Sequence, residues 1–378
     1  MTTIKVDTIT NAAGSGAPNI PDGVTIGGVA LASVNTLEYY AQGTEPATPK
    51  DGAIWWDTGN DKFFQYMNDV WIEVSYTTPP PPPTNLGGRG VFGGAGTSPS
   101  TTSNVIEYIT IATTGNATDF GDLLVARTAV AAVSNGARGV FFRTADSGIG
   151  MDYITIATPG NAVSFGNALS PYPYYNAGCS DGVYGVFAGG NQFDGVKSQM
   201  QYITIATTGN AVLFGDLTQA RMDLSAAADL TYGIWAGGRA SSGTNVGINT
   251  MDRATLATPA NAVDFGDLVQ ARISTAATSN LTRMVVAGGY GSASGTWTMT
   301  TLIDYVTIAT PSNATSFGNL SVARSFVSGC SNGTRATFAG GEVSGNTIDY
   351  ITVSTPGNAT DFGDLTRNAA GPGACSGN

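Results

Sequence analysis

One phrase, in which apolar and polar residues alternate, dominates the chain; its first copy is YITIATTGNATDFGDL at 108–123. Alternation with a period of two predicts β-strands rather than helices. Further copies begin every 45 to 52 residues, at Tyr153, Tyr202, Arg253, Tyr305 and Tyr350. Self-similarity at such a spacing is typical of a solenoid, a propeller or an array of small units.

Each copy of the repeat contains four strand-like segments. In the first full copy, a small apolar segment at Thr128–Val133 precedes a second segment at Arg138–Phe142. The third segment begins with the Tyr of the phrase, and the short fourth segment ends in Phe-Gly-Asp or Phe-Gly-Asn. Four antiparallel strands in about 50 residues predict one blade of a β-propeller. No long segment has apolar residues at helical spacing, so we expect an all-β fold.

The two ends of the repeat region predict how it closes. It begins with a second-strand segment, Gly90–Gly94, and stops after a first-strand segment, Ala369–Ser376. The C-terminal strand is therefore expected to complete the first blade and to close a six-bladed β-propeller over 87–378. Closure of this kind leaves no exposed sheet edge to pair with other chains.

Two smaller regions precede the repeats. Residues 1–37 hold two strand-like segments and are too few to bury a core alone, so we expect this segment to pair with another chain or to dock on a larger body. Residues 38–77 are predicted to form a small β-meander with Gly52–Asp57, Phe63–Met67 and Val70–Val74 as strands. Its core is expected to contain three tryptophans: Trp55, Trp56 and Trp71.

A proline-rich linker at 78–86 separates these regions from the propeller. Its unbroken run, Pro79–Pro83, favours polyproline II, a stiff spacer of roughly 15 Å at ~3.1 Å per residue. A domain boundary is expected there.

Composition excludes several classes of function. The net charge of −11 and the pI near 4.3 disfavour nucleic-acid binding, which needs clustered Lys and Arg. The chain has no His, which excludes Ser-His-Asp and Cys-His nucleophiles and His-ligated zinc. Carboxylate-only chemistry such as glycoside hydrolysis is still possible. Calcium-loop and phosphate-loop patterns are missing, so we expect no metal and no cofactor.

The chain also lacks signals for export or membrane insertion. Its N-terminus has no apolar core of the secretory type, and no stretch approaches the ~20 apolar residues that span a bilayer. We therefore expect a soluble protein that is made in a cytoplasm.

The three cysteines lie at the same point of their repeats, each before a Ser: Cys179, Cys330 and Cys375. Other copies carry Val133, Ala227 or Thr278 there. Interchange with small residues, and the distance between different blades, predict buried free thiols rather than disulfides.

Three sets of polar residues recur, and recurrence in every copy favours structural roles. An Asn before each Ala is expected to bond its own backbone in a turn: Asn116, Asn161, Asn210, Asn261, Asn313 and Asn358. Four aspartates, with Asn in two copies, are expected to be turn acceptors: Asp122, Asp216, Asp267 and Asp364. Four arginines are expected to pair with these carboxylates or, alternatively, to form a ring that binds an anion: Arg127, Arg221, Arg272 and Arg324.

The repeat resembles a kelch repeat. Its second strand ends in Gly-Gly, a Tyr follows some ten to fifteen residues later, and an aromatic residue, a Leu and often an Arg come next. Two features depart from the kelch pattern: Phe stands where Trp is usual, and the first full copy carries Phe142-Arg143 in place of Gly-Gly. The resemblance implies a kelch-like propeller.

A second resemblance covers the front of the chain. Ile4–Thr10, the Pro- and Gly-rich stretch after it, Asp51–Asp57 and Val70–Val74 are similar to the N-terminal parts of tail-fibre and related virion proteins of tailed bacteriophages. The repeated phrase is similar to propellers of such proteins, notably in phages that infect cyanobacteria. This implies a virion protein, assembled in the host cytoplasm, that binds other virion proteins through 1–77 and forms a homo-oligomer, a trimer by resemblance.

Function is expected in the parts that do not repeat. The loops after the second strands differ most between copies, and loops on a rigid scaffold commonly carry recognition. The candidate receptor-binding residues in them are Asn191, Phe193, Lys197, Arg239, Tyr290 and Trp297. Tyr290 and Trp297 could stack on a sugar; alternatively, Trp297 only packs its own loop.

These patterns predict a non-enzymatic tail-fibre or appendage subunit whose propeller recognises a host-surface glycan or protein. One alternative is a capsid-surface decoration or fibre component without receptor binding. The other is a carboxylate-dependent glycan hydrolase, which the fold alone does not imply.

Overall fold

The computed structural model describes residues 25–26, 29–30, 39–57, 59, 62–67, 69–74, 86–142, 150–169, 174–192, 195–243, 246–293 and 296–378. Contacts divide the chain into two compact units, Met1–Pro81 (unit 1) and Pro82–Asn378 (unit 2). The described residues form β-strands and turns and contain no helix, hence none that could cross a membrane. The predicted all-β class is confirmed. Ile4–Ile9 and Pro79–Pro83 lie outside the described residues.

The described residues of unit 1 form six strands: β1 Thr25–Ile26, β2 Val29–Ala30, β3 Tyr39–Gln42, β4 Ile54–Asp57, β5 Lys62–Met67 and β6 Val70–Val74. β4, β5 and β6 pair antiparallel in sequence order, but β3 pairs with β4 in parallel. The sheet therefore differs from the predicted simple meander. The segment 43–53 carries the chain back to the end of the sheet at which β3 begins, so that β4 runs parallel to β3. Trp55 is buried, stacks on Phe64 at 4.7 Å and meets Trp71 at 5.6 Å. The side chain of Trp56 lies outside the described residues.

In the described part of unit 2, the strands form six four-stranded antiparallel sheets, here numbered I to VI. The first three sheets contain β7 Arg89–Gly93, β8 Ser103–Thr110 and β9 Thr118–Arg127 (sheet I); β10 Ala132–Ser134, β11 Arg138–Phe142, β12 Gly150–Thr155 and β13 Val163–Asn167 (sheet II); and β14 Ala177–Ser180, β15 Tyr184–Ala188, β18 Gln199–Thr204 and β19 Val212–Asp216 (sheet III). A hairpin of β16 Asn191–Gln192 and β17 Gly195–Val196 interrupts sheet III.

The remaining sheets follow the same plan. They contain β20 Ser225–Ala228, β21 Tyr232–Ala236, β22 Thr250–Thr255 and β23 Val263–Asp267 (sheet IV); β25 Ala276–Ser279, β26 Arg283–Ala287, β29 Leu302–Thr307 and β30 Thr315–Asn319 (sheet V); and β31 Ser328–Ser331, β32 Arg335–Ala339, β33 Thr347–Thr352 and β34 Thr360–Asp364 (sheet VI). A small sheet of β24 Arg272–Ile273, β27 Tyr290–Ala293 and β28 Thr296–Met299 lies beside sheet V. The last strand, β35 Gly373–Gly377, belongs to sheet I.

Burial explains the sequence of each strand. The second strands are buried on both faces, which matches their almost continuous apolar character. Each apolar cluster combines two consecutive sheets; for example, Val91 and Phe120 of sheet I pack with Phe141 and Ile154 of sheet II. The core of unit 2 therefore lies between neighbouring sheets.

Two strand boundaries differ from the sequence prediction. The first strand of sheet II begins at Ala132 instead of Thr128, because Ala129 adopts a positive φ of 50° that no strand residue has. The third strands begin earlier and end sooner: β12 covers Gly150–Thr155, and Ile156 begins a turn while remaining buried.

The C-terminal strand connects the end of the repeat region to its beginning. β35 pairs with β7 from Gly373 opposite Gly93 to Gly377 opposite Arg89. The first strands of the six sheets contact one another in a cyclic order, β35, β10, β14, β20, β25, β31 and again β35. Phe92 and Ile109 of sheet I accordingly share a cluster with Cys330 and Phe362 of sheet VI.

The repeated asparagines join consecutive sheets, so the prediction that they bond their own backbone is wrong. In sheet II, the Oδ1 atom of Asn161 accepts a hydrogen bond from the backbone N–H of Asp122 in sheet I, at 3.0 Å. The same bond recurs at all six junctions, including the one from Asp364 in sheet VI to Asn116 in sheet I, at distances of 2.9 to 3.1 Å. The turn that carries each Asn is therefore fixed by the neighbouring sheet.

The three cysteines are buried free thiols, as predicted. Burial raises the pKa of Cys330 to about 12 and also raises the pKa of Cys179 and Cys375. Each sulfur packs against a glycine in the second strand of the next sheet: Cys330 against Gly90, Cys375 against Gly139 and Cys179 against Gly233. A cysteine here fills the space that the facing glycine leaves.

Substitution of Gly90 by Ala is expected to destabilise unit 2, because the new Cβ would lie 2.5 Å from Cys330 Sγ. Overpacking of a filled core costs about 1–3 kcal/mol. The double variant Gly90→Ala/Cys330→Ala should recover most of this loss in urea denaturation. Gly160→Ala is the matched control, because its Cβ would meet nothing within 4 Å. Equal midpoints for Gly90→Ala and Gly160→Ala would contradict the packing argument.

Candidate functional site

A cavity of about 140 Å³ lies among the first strands of all six sheets. The described residues that line it carry no charged side chain. One equivalent position of the first strands, which lines the cavity in every sheet, is always Ala or Gly: Ala132, Gly178, Ala226, Ala277, Gly329 and Ala374. The cavity is therefore lined mainly by backbone and small side chains, which offer few specific contacts to a ligand.

The four repeated arginines are structural. All four are fully buried, and each pairs with an aspartate of the third strand of the following sheet: Arg127 with Asp152, Arg221 with Asp252, Arg272 with Asp304 and Arg324 with Asp349. The predicted partners, Asp122 and its equivalents, are not those used. The anion-binding ring is also excluded for these side chains, because each guanidinium is already paired and inaccessible. Burial lowers the pKa of Arg324, and the charge of Asp349 opposes this effect.

Each of these aspartates also holds the chain between two sheets. Asp349 Oδ2 accepts a hydrogen bond from the backbone N–H of Ser321 at 3.1 Å, beside the bond from Arg324 at 2.8 Å. The junction between sheets II and III has no such Arg, and Gln201 stands in place of the Asp. Gln201 Oε1 still accepts the backbone N–H of Leu169 at 2.8 Å. The hydrogen-bond acceptor is therefore retained at this junction, although a neutral Gln replaces the Asp where no Arg is present to pair with it.

The paired glycines follow from the same arrangement. Gly237 and Gly238 have φ angles of 67° and 101°, and a Cβ on Gly237 would lie 2.6 Å from the carbonyl oxygen of Arg272. The chain passes this close because the N–H of Gly238 bonds that carbonyl at 2.9 Å. The strand register makes Phe142 of sheet II equivalent to Ala188 of sheet III, the residue directly before the glycine pair. The equivalent of Gly-Gly is therefore 143–144, outside the described residues, and not Phe142-Arg143.

A ring of left-handed residues lies where the chain enters each first strand. These six residues, called the entrance ring, have φ angles of 50° to 76°: Ala129, Tyr175, Asp223, Ser274, Phe326 and Gly371. Backbone hydrogen bonds join consecutive members: Asp223 N to Tyr175 O, Ser274 N to Asp223 O, Phe326 N to Ser274 O and Gly371 N to Phe326 O, at 2.8 to 3.0 Å. The residues that follow them line the cavity. The entrance ring therefore surrounds one end of it.

A second set of residues lies next to the entrance ring, directly after the glycine pairs or, in sheet I, after the equivalent Gly94-Ala95. These outer positions are Gly96, Asn191, Arg239, Tyr290 and Glu342. Each is bonded through its backbone to the residue before an entrance-ring member, for example Arg239 to Met222 and Tyr290 to Ile273. The structure thus places three predicted candidates, Asn191, Arg239 and Tyr290, at equivalent points around one end of the cavity.

Two groups of side chains contact one another at these positions. Arg239 Nε lies 2.7 Å from Asp223 Oδ2, and the Asp223 side chain is only 2% exposed. Tyr290 donates a hydrogen bond to Glu342 of the next sheet, whose Oε2 also accepts from Ser325 at 3.2 Å. Burial raises the pKa of Asp223, an effect that Arg239 opposes. Burial and the bond to Glu342 raise the pKa of Tyr290.

The remaining candidates are less closely connected. Trp297 lies on β28 with its ring 6.2 Å from that of Tyr290. Its Cζ3 also packs near Gly247, in a loop of the preceding sheet, so Trp297 contributes to the packing of this loop. Lys197 follows the β16–β17 hairpin, and its N–H bonds Gly190 O at 2.8 Å. Phe193 lies outside the described residues.

Sequence reasoning missed Glu342 and the polar and aromatic members of the entrance ring. A signal for both was present. The outer position follows the glycine pair, or Gly94-Ala95 in sheet I, and four ring members come two residues after the buried Arg: Ala129, Asp223, Ser274 and Phe326. Both positions vary between copies whose flanks are constant, which is the pattern expected of a variable surface on a constant scaffold.

In the part of the chain that the structure describes, no cluster of three or more Cys, Asp or Glu could hold a metal ion. Comparison with protein-family models and with curated proteins finds no match for this chain.

Proposed function

We propose that the six sheets of unit 2 are the blades of a closed, kelch-like β-propeller. Three observations support this: the cyclic contacts of the first strands, the pairing of β35 with β7, and the Asn bond at every junction, including the one between sheets VI and I. Four antiparallel strands per repeat agree with a blade. The central cavity would then be the propeller channel, and the entrance ring and outer positions would lie on one face.

We propose further that the protein is a non-enzymatic virion component, a tail-fibre or appendage subunit that recognises a host-surface glycan or protein with this face. The observation that carries the proposal is the variation at equivalent points: the outer positions present Gly96, Asn191, Arg239, Tyr290 and Glu342 from one constant backbone. A surface that changes while its scaffold repeats is suited to one specific partner. The resemblance of the phrase to phage propellers supports the virion setting.

The carboxylates on this face favour binding over hydrolysis. Glycoside hydrolysis needs two carboxyl groups that are free to act on one bond. Asp223 is held by Arg239, and Glu342 is held by Tyr290 and Ser325. Asp252, Asp304 and Asp349 are fully buried in ion pairs. The hydrolase alternative therefore has less support than the adhesin.

Unit 1 would attach the protein to the particle and mediate oligomerisation, with a trimer as the expected state. Val70 and Ile72 on the edge strand β6 are about half exposed, at 55% and 47%. Apolar side chains on an unpaired edge favour burial against another chain. This supports virion proteins or further copies of the chain as partners of unit 1.

Trp297→Ala and Tyr290→Ala are each expected to reduce adsorption of the protein to host cells at least about tenfold, the equivalent of about 1.4 kcal/mol. Lys197→Ala and Arg239→Ala test the rest of the face. Val212→Ala, on the outer strand β19 at 53% exposure, is the matched control.

The alternatives give different results in the same assays. Binding of the unsubstituted protein on a glycan array or to host cells would identify an adhesin. Failure to bind either would favour a decoration protein. Release of saccharides from host polysaccharide would identify a hydrolase. Unchanged adsorption by all four variants would contradict a role for this face.

A further inference from the structure

The entrance ring has left-handed φ angles at all six positions and a different residue type at each. Left-handed φ angles are unfavourable for residues other than glycine, by roughly 1–2 kcal/mol each. Five of the six members nevertheless carry a side chain, and only Gly371 avoids the strain. Backbone strain of this kind is found most often at functional sites. The different side chains are therefore the feature of the ring that needs an explanation.

Two of these side chains meet over the end of the cavity. Tyr175 and Phe326 are three places apart in the ring of six, and their ring centroids are 6.4 Å apart with planes inclined at 58°. Both rings are partly exposed. They form an aromatic surface above the cavity, with Asp223 and Ser274 on one side and Gly371 and Ala129 on the other.

The polar side of the ring contains a hydroxyl without a partner. Ser274 is only 7% exposed, and its Oγ has no hydrogen-bond partner. Its φ of 53° matches the 54° of Phe326 and the 59° of Tyr175, whose rings meet, so the three positions share one backbone conformation. A buried polar group without a partner is costly, and a ligand that supplies one removes that cost.

The charge of this site is balanced. Asp223 is the only charged member of the entrance ring, and Arg239 pairs with it at 2.7 Å. An ion pair attracts neither an anion nor a cation by net charge, whereas its carboxylate can still accept hydrogen bonds from hydroxyl groups. An aromatic surface beside a few fixed polar groups is typical of sites for small neutral ligands.

We propose that the entrance ring is a binding site for a neutral sugar ring, which packs on Tyr175 and Phe326 while its hydroxyls bond Ser274 Oγ and the Asp223 carboxylate. Ala129 carries only a methyl group and Gly371 has no side chain, which would leave space for the rest of the sugar on the opposite side of the aromatic surface. This site is distinct from the Tyr290–Trp297 hairpin. Tests of the two can fail independently.

The test uses the full chain and the methyl glycosides of glucose, galactose, mannose and N-acetylglucosamine. Binding is measured by saturation-transfer NMR and by titration. At least one glycoside is expected to bind with a Kd on the order of 1 mM. Phe326→Gly and Ser274→Gly should each weaken it about tenfold or more, while their melting temperatures stay equal or rise, because glycine suits a positive φ.

Ala129→Gly is the matched control, since it makes the same backbone change where no ligand contact is proposed. It should leave the Kd unchanged. The proposal is overturned if none of the four glycosides binds, or if Phe326→Gly and Ser274→Gly bind as the unsubstituted protein does. It is also overturned if Ala129→Gly weakens binding as much as they do, because the effect would then come from the backbone.

Discussion

Deletion of Gly373–Asn378 is expected to abolish the cooperative unfolding of unit 2. The deletion removes β35, which pairs with β7 along five residues and buries Cys375 against Gly139 of sheet II. It also removes Asn378, whose N–H bonds Gly136 of sheet II at 2.7 Å. Loss of this strand of sheet I exposes the core that sheet I shares with sheet II and with sheet VI. The cost should exceed about 5 kcal/mol, the lower end of the stability of a whole domain.

Calorimetry and far-UV circular dichroism of the full chain measure this effect. The sharpest control returns the same strand at a different place in the sequence. Gly88 N lies 2.6 Å from Asn378 Oδ1, so the end of β35 is next to the start of β7. Gly373–Asn378 inserted directly before Leu86 of the truncated chain would form a hairpin with β7 and should restore the transition. A truncated protein that melts as the intact one does would disprove the proposed closure.

Removal of one member of a buried Arg–Asp pair is the second large expected effect. Arg324→Leu leaves the Asp349 carboxylate, which is 0% exposed, without its counter-charge. Breaking a buried ion pair in this way costs about 3–5 kcal/mol, because an uncompensated charge stays in the core. Urea denaturation monitored by the fluorescence of Trp235, which is fully buried in sheet IV, would report the loss.

The junction between sheets II and III indicates a compensating change. There, Gln201 supplies the backbone acceptor without a charge. The double variant Arg324→Leu/Asp349→Gln should therefore be more stable than the sum of the two single losses predicts, by more than about 1 kcal/mol. Asp361→Asn, on an exposed position of β34, should change stability by no more than about 0.5 kcal/mol. Additive losses in the double variant would show that the two side chains do not act as a pair.

Much of the strand structure could be predicted from the local sequence, both inside and outside the repeats. β11 at Arg138–Phe142 and β6 at Val70–Val74 have the predicted bounds, because a short run of β-branched and aromatic residues between turn signals has few other solutions. The first strands were predicted less well. Ala, Gly and Ser have weak preferences, and the start of β10 depends on the φ of Ala129.

The candidate site was predicted only in part. Asn191, Arg239 and Tyr290 were found because they lie in loops that vary between copies. Asp223, Ser274 and Phe326 were not predicted, because a residue that varies between copies and lies between the recurring Arg and a first strand resembles an ordinary linker residue. Their backbone hydrogen bonds join residues about 50 positions apart in the chain, as from Phe326 N to Ser274 O, and no local pattern encodes such a pair.

The repeated polar residues also show which features depend on local sequence and which depend on tertiary packing. Local spacing was enough to establish six equivalent units, four strands in each and a first strand supplied from the C-terminus, because alternation, turns and period are properties of neighbouring residues. Spacing could not establish that Arg324 pairs with Asp349, that Asn161 holds the previous sheet, or that Tyr175 and Phe326 meet over the cavity. The first two contacts arise when consecutive sheets pack together, and the third arises when the first strands of all six sheets come together around the cavity. Packing brings together atoms that the chain keeps far apart.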